Sequence, residues 1–186
     1  SCINLNRKKK VNKNIIKKLA ADIDEFVLTD DINNYSSILK VGGSYGDLYA
    51  QVLERNEKGQ VLINADGYPV VQAGPRTLVG NSNPDYRIGW NNNLTYKNFS
   101  LSFLVDGSFG GEVRSVTEQV LDGVGVSKRT GEARDNGGVA VNGMVKDANT
   151  PVTMVDPLKW FKTIGGRQHV TGEYMYDATS VRLREV

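Results

Sequence analysis

The chain has almost none of the residues that most often carry chemistry. Cys2 is the only cysteine and His169 the only histidine in 186 residues. A single cysteine excludes an intramolecular disulfide and a zinc cluster, and Cys2 reads as a small apolar strand residue rather than a reactive thiol. No acidic residue or nucleophile stands in a recognised motif around His169, which reads as a surface-loop histidine. No apolar run approaches the roughly 18–20 residues that a membrane-crossing helix needs, so a helical membrane protein is excluded. The opening residues, from Ser1-Cys2, show neither an initiator methionine nor the apolar core of a leader. Prolines number five against twenty glycines, a balance that suits many turns and loops. Charge of one sign is missing too: 23 basic and 21 acidic residues leave a net +2, which carries no message about a polyanionic partner. No two carboxylates are singled out by spacing as a glycosidase would require. No catalytic constellation, cofactor motif or metal motif is found, and an enzyme is not expected.

What the chain does have is alternation. From Tyr86 one face of an extended segment carries Tyr86, Ile88, Trp90, Leu94 and Tyr96, with Asn92 the single polar break. The other face carries Arg87, Gly89, Asn91, Asn93 and Thr95. After Lys97-Asn98 the pattern resumes: Phe99, Leu101, Phe103 and Val105 oppose Ser100, Ser102 and Asp106, with Leu104 the one apolar residue on the polar side. Period two means strands with unlike environments on their two faces. A soluble sheet hides such a face against a second layer, whereas a membrane barrel turns it to lipid. Tyr96 and Phe99 flank the turn where an interfacial girdle would sit, and Tyr86 marks the far end. Tyr86 to Tyr96 matches the roughly 9–11 residues of a membrane-spanning strand. The pattern leans to a barrel hairpin, with a half-buried soluble hairpin as the rival.

Around this hairpin lie two long excursions. A short strand from Cys2 to Arg7 leads into the densest charge cluster, Arg7, Lys8, Lys9, Lys10, Lys13, Lys17 and Lys18. Clustered cations could neutralise nucleic-acid phosphates, but no aromatic residue interleaves for base stacking. A solvated strand edge or rim is the better reading, and no nucleic-acid partner is expected. The first excursion, Ala20 to Gly80, opens with Asp22, Asp24, Glu25, Asp30 and Asp31. Calcium prefers such oxygens, yet the spacing matches no calcium loop, so exposed loop acids are expected. Gly42-Gly43-Ser44-Tyr45-Gly46 lacks the context of a phosphate loop and reads as a turn. Tyr49–Asn56 and Gln60–Ala65 flank Glu57-Lys58-Gly59 as a hairpin, and Asp66-Gly67 is a further turn. The second excursion, Gly107 to Tyr174, places Val113, Val116, Thr117, Val120 and Leu121 at helical spacing before Gly123. Asn142-Gly143 between Val139–Val141 and Met144–Val145 predicts a two-residue hairpin. Asp156-Pro157 predicts an N-cap with proline at the first helical position, ahead of Leu158, Trp160 and Phe161 and a stop at Gly165-Gly166.

The stretch "GNSNPDYRIGWNNNLTYKNFSLSFLVDGSFGGEV" resembles the hairpin of the SusC/RagA family of TonB-dependent outer-membrane transporters. "YMYDATSVRLREV" resembles that family's approach to one of the last barrel strands. "NLNRKKKVNKNIIKKL" is similar to a strand end with an asparagine- and lysine-rich continuation, and "GDLYAQVLERNEKGQVLINADGYPVV" to the loop hairpin that precedes the Gly-Asn-x-Asn-Pro-Asp motif. Four pieces in this order cover nearly the whole chain. Family members are far longer, so residues 1–186 are expected to be a fragment of the barrel domain, without plug or final strands. The resemblance implies an all-β fold: about four strands of a large antiparallel transmembrane β-barrel with two long extracellular loops. It implies location in the cell outer membrane and import of an oligosaccharide, peptide or similar bulky nutrient. The implied partners are a SusD-like surface lipoprotein, the TonB complex through other parts of the parent chain, and outer-membrane lipid. Tyr86, Ile88, Trp90, Leu94, Tyr96, Phe99, Leu101 and Phe103 would face lipid, while Arg87, Asn91, Asn93, Ser100 and Ser102 would face the lumen or plug. Barrels carry short turns on the periplasmic side and long loops outside, so Lys97-Asn98 would be periplasmic. The basic cluster would then lie at the outer rim, near glycolipid phosphates. No ligand-contacting residue carries over. The alternative is a soluble β-rich carbohydrate-binding or adhesion module, with Tyr45, Tyr68, Trp160 or Phe161 as sugar platforms.

Overall fold

The computed structural model describes residues 2–11, 13–31, 34–166 and 170–186, with backbone alone at 2–6, 30 and 31. In chain order the first six strands are β1 (Cys2–Val11), β2 (Glu25–Asp31), β3 (Tyr35–Lys40), β4 (Asp47–Ala50), β5 (Val61–Ile63) and β6 (Thr77–Asn81). The long hairpin β7 (Tyr86–Tyr96) and β8 (Phe99–Phe109) follows, then β9 (Glu112–Arg114), α1 (Val116–Gly123), α2 (Lys128–Asp135), β10 (Val139–Val145) and β11 (Pro151–Val155). The chain closes with α3 (Pro157–Ile164), a 3-10 turn at Thr171–Tyr174, β12 (Met175–Asp177) and β13 (Ser180–Glu185). Strands hold 45% of the described residues and helices 16%, so the fold is mostly β, with the short helices among the described residues all in the second excursion.

Four strands form one antiparallel sheet in the order β1-β7-β8-β13. Its hairpin has the predicted register, with Tyr96 opposite Phe99 and Tyr86 opposite Phe109. The turn is two residues long and Lys97 takes a left-handed φ of 51°, as a tight hairpin with right-handed strand twist demands. At the opposite end Val11 pairs with Tyr86 and Ser180 with Ser108. Both long excursions, residues 12–85 and 110–179, therefore leave from the same end of the sheet. The sheet does not close, since β1 and β13 are its edges.

The two excursions fold into one body. The first supplies the sheet β2-β3-β4-β6, and its β5 joins β10 and β11 of the second excursion, pairing with β10 in parallel. One hydrophobic core draws on both: Leu53, Val61 and Ile63 from the first, and Ala133, Val155, Phe161, Ile164, Val170 and Tyr174 from the second. Burying these side chains against one another supplies the module's main driving force, at about 1.5–3 kcal/mol for each large apolar group. Gly172 N donates to Gln51 O at 2.9 Å and Thr171 Oγ1 to Asn34 O at 2.7 Å, stitching the 3-10 turn to the first excursion.

Several local expectations hold and others are corrected. Asp156 caps α3 by accepting from Lys159 N at 3.0 Å, with Pro157 at its first turn and Gly165 at its end. The segment around Glu57-Lys58-Gly59 does reverse, through the bridge Arg55–Val61, though only Val61–Ile63 is regular strand. The expected hairpin at Asn142-Gly143 is absent: both residues lie inside β10. A Cβ at Gly143 would stand 3.3 Å from the carbonyls of Val61 and Val152 on the two neighbouring strands, so glycine fits there without a tight contact. The reversal comes later, where Asn149 has φ 49° and Val145 N donates to Thr150 O. Val113 belongs to β9 and not to the helix, and α1 buries Gln119 and Asp122 while Val116 and Leu121 are exposed. Its inward face is polar because Asp122 serves as a hydrogen-bonding hub. β1 extends to Val11, beyond the expected end at Arg7. The expectation for His169 falls outside the described residues.

Candidate membrane-facing surface

Antiparallel partners project to the same side of a sheet, so the register sorts residues onto faces. Tyr86, Ile88, Trp90, Leu94 and Tyr96 stand opposite Phe109, Gly107, Val105, Leu101 and Phe99, with Asn92 opposite Phe103. On the far side Val181 and Leu183 of β13 pair with Gly107 and Val105 and extend the same face. All eight side chains named from the sequence thus share one surface. Tyr86 stacks on Phe109 at 4.9 Å between ring centroids, and Trp90 meets Phe103 edge-on at 6.1 Å. Toward the turn this face is open, with Tyr96 63% and Phe99 79% exposed. A contiguous uncovered patch of large apolar side chains marks an interaction surface.

The opposite face is polar. Asn91, Asn93, Thr95, Ser100, Ser102 and Asp106 share it, and Arg184 of β13 pairs with Asp106 at 2.9 Å. Asn92 interrupts the apolar face and is only 3% exposed; its Nδ2 has no hydrogen-bond partner. A buried donor without a partner costs about 1–3 kcal/mol.

Two features escaped the sequence reading. β1 pairs Arg7 with Trp90 and Lys9 with Ile88, so two of the four cations in the run Arg7-Lys8-Lys9-Lys10 lie on the apolar face. The Arg7 guanidinium sits 5.9 Å from the Trp90 ring centre and Lys9 Nζ 4.9 Å from that of Tyr86. Only strand register reveals this, because the local sequence Arg7-Lys8-Lys9-Lys10 has no alternation to read. The second feature is the hub in the loop module. The buried Asp122 carboxylate accepts from Arg129 Nε at 2.6 Å, from Arg129 Nη2, from Ser127 Oγ at 2.5 Å and from the Tyr174 hydroxyl at 2.9 Å. Burial, with Asp122 beside it, pushes the Tyr174 phenol far above its ordinary range. Burial and a hydrogen bond to Glu118 push Tyr176 up to about 12. The hub joins α1, α2 and the 3-10 turn, and a cavity of about 550 Å³ opens beside it, lined by Gly123, Thr130, Arg134, Asp156, Phe161 and Lys162.

The Asn81–Asp85 motif ties module to sheet. Asn81 N donates to Glu112 Oε2 at 2.6 Å and Asn81 Nδ2 to Asp47 Oδ1 at 2.8 Å, while Asn83 Nδ2 donates to Tyr45 O. Asp85 N donates to Phe109 O at 2.9 Å, which begins the hairpin ladder. Of the aromatics considered as sugar platforms, Phe161 is buried and Trp160 packs on the core, while Tyr45 is exposed and Tyr68 carries Lys159 over its ring. Among the described residues no cluster of three or more metal-ligating side chains occurs, and no helix is long and apolar enough to cross a membrane.

Fold and surface together define a mostly antiparallel β protein with one uncovered apolar sheet face and a folded module at one sheet end. No family model matches the chain. Over 128 residues, 69% of its length, it is 30% identical to the TonB-dependent receptor P3 of Formosa agariphila, and the match spans 11% of that receptor. The chain is thus similar to a small part of a much longer TonB-dependent receptor.

Proposed function

We propose that this chain is a barrel segment of an outer-membrane TonB-dependent nutrient importer of the SusC/RagA type. One observation carries the reading: a two-residue turn closes one end of the four-stranded sheet, and both folded excursions leave from the other. Short turns on one side and long loops on the other are the layout of outer-membrane barrels. The 11-residue strands β7 and β8 are long enough to span, and their exposed apolar face is what lipid would cover. Similarity to a TonB-dependent receptor supports the same class. On this reading Tyr86, Ile88, Trp90, Leu94, Tyr96, Phe99, Leu101 and Phe103 face lipid, and Arg87, Asn91, Asn93, Ser100 and Ser102 face the lumen. The co-folded module stands outside the membrane, over the ligand vestibule and against a SusD-like lipoprotein. The work is import of a bulky nutrient powered through TonB, with no catalysis and no cofactor. The remaining strands of the parent barrel cover the edges of β1 and β13, since open edges in lipid leave backbone groups unpaired at several kcal/mol each.

Cys2 is the only cysteine of this segment, so Cys2→Ser, with any cysteine elsewhere in the parent receptor also replaced by serine, allows single labels. A polarity-sensitive fluorophore placed at Leu101 in the parent receptor, reconstituted in vesicles, is expected to be quenched by brominated lipid. The same label at Ser102 is expected to respond to a water-soluble quencher. Equal quenching by both agents at both positions would defeat the barrel reading.

A further inference from the structure

We propose that Arg7 and Lys9 form a binding site for the phosphate of an acylated, phosphorylated glycolipid on the half of the apolar face nearer the two excursions. The inference rests on the barrel reading and deepens it. Alternate residues of a strand share a face at a spacing of about 7 Å, so Arg7 and Lys9 make a pair of cations beside the aromatic rings. Arg7 lies over Trp90 and Lys9 over Tyr86, which holds each long side chain against the sheet, with Lys9 reaching toward its Tyr86 end. Both residues, and Val11 beyond them, are exposed. No acidic residue occurs in positions 1–21, so no carboxylate on this stretch neutralises the pair.

The position matters as much as the charge. Arg7 and Lys9 stand opposite Trp90 and Ile88, in the half of the sheet nearer the end from which both excursions leave, and toward the turn the same face carries Leu94 and Leu101, with Asn92 its one polar break. A ligand that fits must carry a phosphate at one end and hydrocarbon at the other. Arginine offers a planar fork for phosphate oxygens, and lysine a point charge. Lys8 and Lys10 have the same charge but pair with Gly89 and Arg87 on the opposite face, and they play no part in the site.

The test uses the parent receptor in mixed micelles, with lipid retention read by native mass spectrometry. The probes are a doubly phosphorylated, hexa-acylated glucosamine disaccharide, its dephosphorylated form, and phosphatidylglycerol. Two double variants are compared, R7Q/K9Q and K8Q/K10Q, each removing two charges. R7Q/K9Q is expected to lower affinity for the phosphorylated glycolipid about thirtyfold, from about a fivefold loss for each cation. K8Q/K10Q is expected to leave it unchanged, the dephosphorylated glycolipid is expected to bind weakly to every form, and phosphatidylglycerol, with one phosphate for two cations, is expected to bind more weakly than the doubly phosphorylated glycolipid. Equal losses in both variants, or equal retention of the three lipids by a receptor that does insert, would overturn the site while leaving the barrel reading intact. A parent chain that stays monomeric and compact without detergent would overturn both.

Discussion

Leu53 offers the sharpest test of how the two excursions are joined. It belongs to the first excursion, is 2% exposed, and shares a core cluster with Phe161, Ile164, Val170 and Tyr174 of the second. Leu53→Ala removes three carbons, a transfer loss of about 2.4 kcal/mol at ~0.8 kcal/mol for each. An incompletely collapsed cavity adds roughly 1 kcal/mol, for a total of about 3 kcal/mol. At about 1.4 kcal/mol for each factor of ten, the opening equilibrium of the module shifts by about two orders of magnitude. Amide hydrogen exchange read by mass spectrometry, with the protein in detergent, reports where that opening occurs. If the excursions share one core, peptides covering α3 and β11 lose protection together with those covering residues 47–71, although Leu53 is distant from α3 in sequence. Loss confined to residues 47–71, with α3 as protected as before, would refute the shared core and leave two independent loops.

Three further outcomes follow from particular side chains. Asn92→Leu replaces a buried amide whose Nδ2 lacks a partner with an apolar group of similar size, and should raise stability by about 1–2 kcal/mol, seen as a higher thermal midpoint in detergent. Gly165→Ala would place a Cβ 2.6 Å from Gly123 N and Phe161 O; it should destabilise the α1–α3 contact by about 1–3 kcal/mol. Gly131→Ala, whose Cβ meets only Arg134 Nη2 at 4.0 Å, should instead stabilise α2 by up to about 1 kcal/mol, and denaturant unfolding separates the two. Tyr176, pushed up to about 12, binds its proton more tightly in the folded than in the unfolded chain. Its contribution to stability is full below about 10 and is lost as pH climbs through about 12. Near-ultraviolet phenolate titration checks this, and Tyr176→Phe should remove one tyrosine from the delayed component while Tyr174, pushed higher still, stays in it.

Strong local signals were legible in the sequence. Period-two alternation located β7 with its bounds, the turn and the start of β8, which runs on to Phe109 past the expected end near Gly107, because strand geometry forces neighbouring side chains to opposite faces. Asp156-Pro157 announced α3, because a cap acts through residues adjacent in sequence. Other signals misled for identifiable reasons. Asn-Gly at 142–143 usually turns a hairpin, but here Gly143 lies between two strands whose carbonyls come within 3.3 Å of where its Cβ would stand, and the sequence around it cannot show that. The apolar spacing at 113–121 suggested a buried face, yet the helix turns its polar side inward toward the Asp122 hub. That hub unites residues from α1, α2 and the 3-10 turn, so no local window contains it.

The sequence by itself determined the faces of the central hairpin, its two-residue turn, the capped helix and the absence of any cysteine- or histidine-rich site. Each of these depends on interactions between residues a few positions apart. Tertiary structure alone decided that residues 12–85 and 110–179 share one core, that β5 and β10 pair in parallel, and that Arg7 and Lys9 stand over Trp90 and Tyr86 on the apolar face. Those outcomes depend on strand register and on burial between segments far apart in the chain. A shift of one residue in the β1–β7 register would carry Arg7 and Lys9 to the other face, and no local pattern in the lysine run specifies which face it takes.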